Sequence, residues 1–149
     1  MSFSKETMEK KRKNKGNVFI VEDDMLLSMV EERLLIKLGY NVTGKAMSGE
    51  EAVARIKSIK PDVVLMDISL NGKLDGVDTM KQIRNFSSVP VIYLSGNSDQ
   101  LNMERAKKTQ YVDYLVKPIT EHDLIEPLNR AMKSVRGGRF PNRSINHAG

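Results

Sequence analysis

The chain has 149 residues and a net charge of +5, and it contains no cysteine. This length allows one domain with a proper core and is too short for two ordinary domains. The lack of cysteine excludes disulfides, thiolate chemistry and a cysteine-based zinc site. No apolar run reaches membrane-spanning length, and the N-terminus lacks the apolar stretch of a signal peptide, so we expect a cytoplasmic protein without membrane insertion.

The positive charge lies at the two ends of the chain. Residues 1–15 carry +4 and residues 136–149 carry +3, which leaves residues 16–135 at −2. Basic tails can touch nucleic acid, but this composition is more typical of solubilising disordered ends, and we do not expect direct nucleic-acid binding. We predict a basic disordered tail over 1–16, one domain over 17–136 and a flexible tail over 137–149.

Apolar, β-branched runs alternate with segments of helical periodicity. The runs are nearly continuous in hydrophobicity, which is typical of strands buried on both faces of a parallel sheet. The pattern therefore predicts an α/β fold with a parallel sheet. The predicted strands are 17–21, 40–44, 62–66, 89–94 and 111–116, and the predicted helices are 24–39, 48–61, 76–85, 98–109 and 120–135.

The helices carry recognisable start signals and one internal breaker. Ser48 with Glu51, and Thr120 with Asp123, have the spacing of capping boxes. Pro127 falls inside the last helix, where it removes a backbone hydrogen bond, so we predict a bend there. The first helix has an apolar face formed by Leu26, Met29, Val30, Leu34 and Leu38.

Polar side chains stand at the ends of four predicted strands. In an open parallel sheet, ligands bind beyond the carboxyl ends of the strands, where the strand order reverses. Carboxylates, a hydroxyl and an ammonium there suit phosphoryl transfer: oxygen ligands for Mg²⁺, a carboxylate nucleophile, and two groups that steady the phosphoryl oxygens. The residues are Glu22 and Asp23, Asp67, Ser95 and Lys117.

The first strand ends in three consecutive acids, Glu22, Asp23 and Asp24. Like charges this close repel each other, so we expect the triplet of acids to have a structural or binding role. One possible role is a helix start, where an Asp caps the first turn. The other is the binding of a cation.

Four motifs together resemble the receiver domain of response regulators, the CheY-like superfamily of two-component signal transduction. They are "VED" after the first strand, "LMDISL" followed by "DG" at 75–76, "VIYLSG" at 91–96 and "YLVKP" at 114–118. The resemblance covers residues 17 to about 135. It implies a doubly wound (βα)₅ sandwich of the flavodoxin-like type, with a five-stranded parallel sheet of order 2-1-3-4-5.

The resemblance also implies a role for each site residue. Asp67 would be the phosphoacceptor. Asp23 would bind Mg²⁺ directly and Glu22 through water, with the backbone carbonyl of Ser69 as a further ligand, while Asp24 is left to cap the first helix. Lys117 would pair with the phosphorylated aspartate.

Three further residues complete the expected switch. Ser95 would turn toward the phosphoryl group, and Tyr114 would swing inward behind it. The bond between Lys117 and Pro118 would be cis. The segment from Asp67 to the "DG" is one residue longer than is usual in the family and lacks its proline, so we expect a more mobile loop there.

The resulting expectation is a phosphorylation-activated switch that is not an enzyme beyond its own phosphoryl transfer and dephosphorylation. A histidine kinase or a histidine phosphotransfer protein would be the donor. A downstream protein would read the surface of the fourth helix, fifth strand and fifth helix, with contacts at Lys107, Lys108, Asp113 and Glu121. The sequence leaves open whether the protein forms a homodimer.

Three other interpretations remain. In the first, the chain is a receiver fragment of a larger regulator or hybrid kinase. In the second, it is a phosphate-independent interaction module that keeps only the fold. An aspartate-based phosphatase is disfavoured, because it needs an acid two residues after its nucleophile and this chain has Ser69 there.

Overall fold

The computed structural model describes residues 14–96 and 100–137. Five parallel strands form one sheet of order β2-β1-β3-β4-β5. The fold predicted from the sequence is thereby confirmed. The strands are β1 (Asn17–Val21), β2 (Asn41–Ala46), β3 (Val63–Asp67), β4 (Val91–Ser95) and β5 (Asp113–Val116), and the helices are α1 (Met25–Lys37), α2 (Gly49–Ile59), α3 (Gly76–Ile83), α4 (Gln100–Lys107) and α5 (Glu121–Gly137).

The sheet separates two apolar cores because successive strand residues point to opposite faces. Phe19, Met66 and Tyr93 pack on the face covered by α2 and α3, and Ile20 and Leu65 pack on the opposite face. Every residue of β3 and β4 is buried, which explains why these two segments read as continuous hydrophobic runs. The carboxyl ends of the two central strands are therefore positioned by packing on both faces of the sheet.

The strand bounds differ slightly from the predicted runs. β3 and β4 each begin and end one or two residues later, so Asp67 and Ser95 are the last residues of their strands rather than the first residues after them. The strand order reverses beside β1, which lies between β2 and β3. The carboxyl ends of β1 and β3 therefore border the crevice where α/β sheets bind ligands.

Side-chain caps fix the helix starts near this crevice. Asp24 accepts hydrogen bonds from the amides of Leu26 and Leu27, at 2.9 and 3.1 Å. Ser48 caps α2 as predicted, although Glu51 bonds back to the amide of Met47 instead of that of Ser48. These caps satisfy amides that have no partner inside the helix.

The apolar face predicted for α1 packs against the core only in its second half, through Leu34 and Leu38. Leu26 is 70% exposed, and Met29 and Val30 are about half exposed. The buried residues of this helix are Ser28, Glu31 and Leu35. Because α1 carries apolar residues around most of its circumference, the spacing of apolar residues alone does not identify its inner face.

The C-terminal helix runs from Glu121 to Gly137 with Pro127 inside it. The predicted bend at Pro127 stays a prediction. Residues 1–13 and 138–149, which make up most of the two predicted tails, lie outside the described residues. Within the described ranges, every helix is too short or too polar to span a lipid bilayer.

Candidate functional site

Three acidic side chains meet where β1 and β3 end. Carboxylate oxygens of Glu22, Asp23 and Asp67 all lie within 4.8 Å of one another. The register explains the meeting, because Val21 at the end of β1 pairs with Met66, the residue before Asp67. Two predicted metal-site acids and the predicted acceptor therefore share one small volume.

Asp67 is held from two directions. Its Oδ1 accepts a hydrogen bond from the amide of Ser69 at 3.1 Å and lies 3.2 Å from Lys117 Nζ. Its side chain is only 3% exposed. Burial, and then the negative charge of Glu22, raise the pKa of Asp67 to about 6, although Lys117 and the Ser69 amide act in the opposite direction.

Lys117 reaches back from the end of β5 to both acids. Its Nζ lies 3.1 Å from Glu22 Oε1, at the same time as it contacts Asp67. Burial alone would lower the pKa of Lys117, but the charges of Asp67 and Glu22 raise it overall. The peptide bond to Pro118 is cis, and the Lys117 amide donates to the carbonyl of Ser95 at 2.7 Å.

Glu22 is almost fully buried and firmly held. Its Oε2 accepts a hydrogen bond from the amide of Asp24 at 3.1 Å. Burial raises the pKa of Glu22, but the hydrogen bond from Asp24, together with Glu31 and Lys117, outweighs it and lowers the pKa overall. Asp23 lies nearer the surface, where its Oδ2 accepts from the amide of Asn71 at 3.0 Å.

The three acids of the triplet therefore make different contacts. Asp24 starts the helix, and the other two acids face Asp67. The helix-start interpretation applies to Asp24, while Glu22 and Asp23 belong to a cluster whose geometry could hold a cation. The three clustered carboxylates form the hard oxygen donor set that suits Mg²⁺. The Ser69 carbonyl as a further ligand stays a prediction.

Ser95 and Tyr114 occupy neighbouring strands close to the site. Ser95 ends β4 and is 2% exposed. Tyr114 in β5 pairs with Tyr93 in β4, and their ring centroids are 6.3 Å apart. The Tyr114 hydroxyl is buried without a hydrogen-bond partner among the described residues, whereas the Tyr93 hydroxyl bonds to Thr109 at 2.6 Å.

The loop that follows Asp67 is anchored at both ends. Ile68 and Leu70 are buried, and the amide of Gly76 donates to the carbonyl of Ile68 at 2.9 Å. Gly72 has φ of +108°, which a side chain rarely adopts. Greater mobility of this loop stays a prediction.

Two charged residues near the site were missed from the sequence. Glu31 in α1 is buried beside the site, where burial, and then the charge of Glu22, raise its pKa to about 9. Arg105 in α4 pairs with Asp75 and Asp78 at the start of α3. A glutamate two helical turns after the Asp24 cap was a readable signal for Glu31, whereas Arg105 had none.

Of the four surface contacts expected for a partner, three are engaged in ion pairs. Lys107 pairs with Glu104, Asp113 with Arg130, and Glu121 with Lys37. Lys108 is exposed. Their role in partner binding stays a prediction.

Comparison with known proteins identifies relatives along most of the chain. The family described as the response regulator receiver domain matches residues 18–129. The chemotaxis protein CheY of Thermotoga maritima is 34% identical over 117 residues, which are 78% of this chain and 97% of that protein. The transcriptional regulatory protein PdtaR of Mycobacterium tuberculosis is 34% identical over 119 residues, 80% of this chain and 58% of that protein.

Solved structures show the same fold. The receiver domain of a modulated diguanylate cyclase from Desulfovibrio desulfuricans G20 has a TM-score of 0.77 and 33% identity, over 83% of this chain and 98% of that one. The CheX-CheY-BeF3-Mg²⁺ complex from Borrelia burgdorferi has a TM-score of 0.70 and 25% identity, over 75% of this chain and 85% of that one. The chain thus spans nearly all of some relatives and only part of others.

Proposed function

Because the chain belongs to the response regulator receiver domain family, we propose that it is a phosphorylation-activated switch with Asp67 as the phosphoacceptor. The observation that carries the proposal is the meeting of Asp67, two further acids and the Lys117 ammonium at one edge of the sheet. A purely structural protein has no need to bury these charges together, because removing them from water is unfavourable.

Asp67 has the properties of a carboxylate nucleophile. With a pKa of about 6 it is mostly ionised at neutral pH, and the Ser69 amide and Lys117 both bind Oδ1. The proposed donor is a phosphohistidine on a histidine kinase or a phosphotransfer protein. In an in-line transfer, an oxygen of Asp67 bonds to phosphorus while the nitrogen–phosphorus bond breaks and its electron pair returns to the histidine ring.

The acidic cluster fits Mg²⁺: Asp23, Asp67 and the Ser69 carbonyl would hold the ion directly, and Glu22 would act through water. Bound Mg²⁺ supplies positive charge that neutralises the phosphoryl oxygens. Lys117 adds a second positive charge beside the acceptor. The chain's own residues thereby orient the acceptor and balance the negative charge that reaches it.

The switch follows from the charge that Asp67 gains. A phosphoryl group adds roughly −1.5 to −2 charges and strong acceptor oxygens, on the general figure for phosphorylated side chains. Lys117 and Ser95 then have a reason to move toward it, and Tyr114 follows into the space behind Ser95. Because these residues lie in β4, in β5 and directly after β5, their movement changes the shape of the surface formed by α4, β5 and α5, which a partner would read.

The proposed setting is a cytoplasmic two-component system in which a downstream protein reads that surface. The protein is proposed to catalyse only its own phosphorylation and dephosphorylation. Two alternatives remain: a receiver segment of a larger regulator or hybrid kinase, and a phosphate-independent interaction module. The larger regulator is favoured by relatives such as PdtaR, of which the chain spans 58%.

Intact mass spectrometry tests the proposal. The wild-type protein is incubated with acetyl phosphate and Mg²⁺, alongside an Asp67→Asn variant and a sample with EDTA. We expect a gain of one phosphoryl group in the wild type alone. A Glu32→Gln variant controls for the loss of an acid, because Glu32 pairs with Lys45 outside the cluster. Absence of any gain in folded wild type would favour the phosphate-independent module.

A further inference from the structure

Asn71 and Gly72 are the only asparagine–glycine pair in the sequence, and they lie in the loop between Asp67 and α3. The side-chain carbonyl of an asparagine can react with the backbone nitrogen of the next residue. A glycine in that next position leaves the nitrogen unshielded, because glycine has no Cβ atom. In a folded protein the reaction also requires that neither group is held by hydrogen bonds or packing.

Few contacts hold this pair. Asn71 is exposed, and its backbone amide donates to Asp23 Oδ2 at 3.0 Å. No group in the described part of the chain hydrogen-bonds to the side-chain amide of Asn71 or to the backbone amide of Gly72. A Cβ atom at position 72 would meet one atom of the described residues within 4 Å, Glu50 Oε2 at 3.8 Å. Both reacting groups therefore have room to approach each other.

The Asp75–Gly76 pair in the same loop is held much more firmly. An aspartate before glycine can close the same ring, with loss of water instead of ammonia. The Asp75 carboxylate, however, caps α3 and pairs with Arg105. The Gly76 amide donates to the Ile68 carbonyl at 2.9 Å, and Gly76 packs on the backbone of Asp67. The nitrogen that would have to attack is thus already bonded.

We propose that Asn71 is a site of spontaneous deamidation. The Gly72 nitrogen forms a bond to the side-chain carbonyl carbon of Asn71 while the bond from that carbon to the side-chain nitrogen breaks. The nitrogen leaves as ammonia and takes the proton of the Gly72 amide. Water then opens the cyclic imide at either of its carbonyl groups, which gives aspartate or isoaspartate.

Both products change the loop that follows the acceptor strand. Each adds a negative charge at position 71, whose backbone amide contacts Asp23. Isoaspartate also routes the backbone through the former side chain, so the connection from Asp67 to α3 becomes longer by a carbon atom. The modification does not depend on the proposed function, whereas any effect on phosphorylation would.

Peptide mapping of aged protein tests the inference. The full chain is incubated for several days at mildly alkaline pH, folded in buffer or unfolded in guanidinium chloride, and is then digested with trypsin. Trypsin cleaves after Lys73, so the two glycine pairs fall on different peptides. Mass spectrometry detects deamidation, and an isoaspartyl methyltransferase used as a reagent measures isoaspartate in each peptide.

We expect Asn71 to react in the folded protein within about threefold of its rate in the unfolded chain, because exposed segments with few contacts open at almost no cost in free energy. Position 75 should form isoaspartate in the unfolded chain only. Asn71→Gln is the control, because glutamine keeps a neutral amide but must close a larger ring, and it should abolish the signal at position 71. Gly72 is left unchanged, since its φ of +108° would strain an alanine.

Three results would overturn the inference. In the first, Asn71 stays intact in the folded protein while it reacts in the unfolded chain, which would mean that the loop protects it. In the second, it reacts in neither state. In the third, positions 71 and 75 react equally in the folded protein, so that the contacts described above would not control the reaction. Each of these results leaves the proposed function standing, since acetyl phosphate tests that separately.

Discussion

Gly76 packs directly on the backbone of Asp67: a Cβ atom at position 76 would lie 2.3 Å from the Asp67 carbonyl oxygen and 2.8 Å from the Cα atom of Ile68. Both neighbours are backbone atoms, which cannot turn aside as a side chain can. The glycine of the "DG" motif is therefore required by close approach, and it fixes the distance between the start of α3 and the strand that carries the acceptor.

A Gly76→Ala substitution should therefore disturb the acceptor strand. We expect it to lower the free energy of unfolding by about 2 kcal/mol, the typical effect of overpacking, and to slow phosphorylation of Asp67 by acetyl phosphate. Urea unfolding and intact mass measure the two effects. Gly96→Ala is the control for stability, because a Cβ atom there meets no atom of the described residues within 4 Å. Equal stability of the two variants would contradict the prediction.

Removing Lys117 should raise the pKa of Asp67. Burial and the charge of Glu22 already raise that pKa to about 6, and Lys117 opposes them from 3.2 Å. In Lys117→Met this opposition is lost, so the ¹³C carboxyl titration of Asp67 in metal-free protein should move to higher pH than in wild type. Lys45→Met, which removes a lysine that pairs with Glu32, should leave the midpoint where it is. A midpoint unchanged in Lys117→Met would mean that the contact is weak in solution.

The ion pair between Arg105 and Asp75 should make stability depend on pH. Burial raises the pKa of Asp75, but hydrogen bonds from Arg105 and the Asp78 amide outweigh it, and the net pKa is below the ordinary 3.8. A carboxyl group with a lowered pKa stabilises the folded state fully above its unfolded pKa, and this contribution is lost as the pH falls through the folded pKa.

We therefore expect Asp75→Asn to be less stable than wild type by about 1 kcal/mol at pH 7, with a difference that shrinks below about pH 4. Asparagine is chosen because it can still cap α3. Urea unfolding across pH gives the curve, and Arg105→Gln should reproduce it. A pH-independent difference would point to the lost cap and not to the ion pair.

The two tyrosines of β4 and β5 should respond differently to loss of their hydroxyl groups. The Tyr93 hydroxyl bonds to Thr109 at 2.6 Å, whereas that of Tyr114 is buried without a partner in the described part of the chain. Tyr93→Phe should lower the free energy of unfolding by about 1 kcal/mol, because it leaves Thr109 with one hydrogen bond fewer. Tyr114→Phe should be neutral or slightly stabilising. Equal losses in urea unfolding would refute this contrast.

The position of the acidic site was predictable from the sequence because each of its members lies in a recognisable local pattern. Asp67, Ser95 and Lys117 each stand at the end of an apolar run, and the parallel arrangement of strands brings such ends to one edge. Asp24 was likewise predictable as a cap from its position before the first apolar residues of α1. In these cases the short-range pattern and the tertiary structure agree.

The inner face of α1 was only partly predictable in this way, since Leu34 and Leu38 do pack against the core. A rule that buries apolar residues favours Leu26 and Met29, which are exposed, over Glu31, which is buried. Glu31 lies inside near Glu22, the residue that follows β1, and no spacing within the helix reveals that. The link from Arg105 to Asp75 was hidden for the same reason, since it joins segments 30 residues apart.

The contact between Lys117 and Glu22 joins residues 95 positions apart in the chain. A ribosome therefore produces the acids of β1 and β3 long before it produces the cation that balances them. Until Lys117 has been synthesised, the acids that follow β1 and end β3 lack the ammonium that contacts them in the folded protein. On the proposed function, the acceptor site is therefore complete only when the chain has been synthesised as far as Lys117.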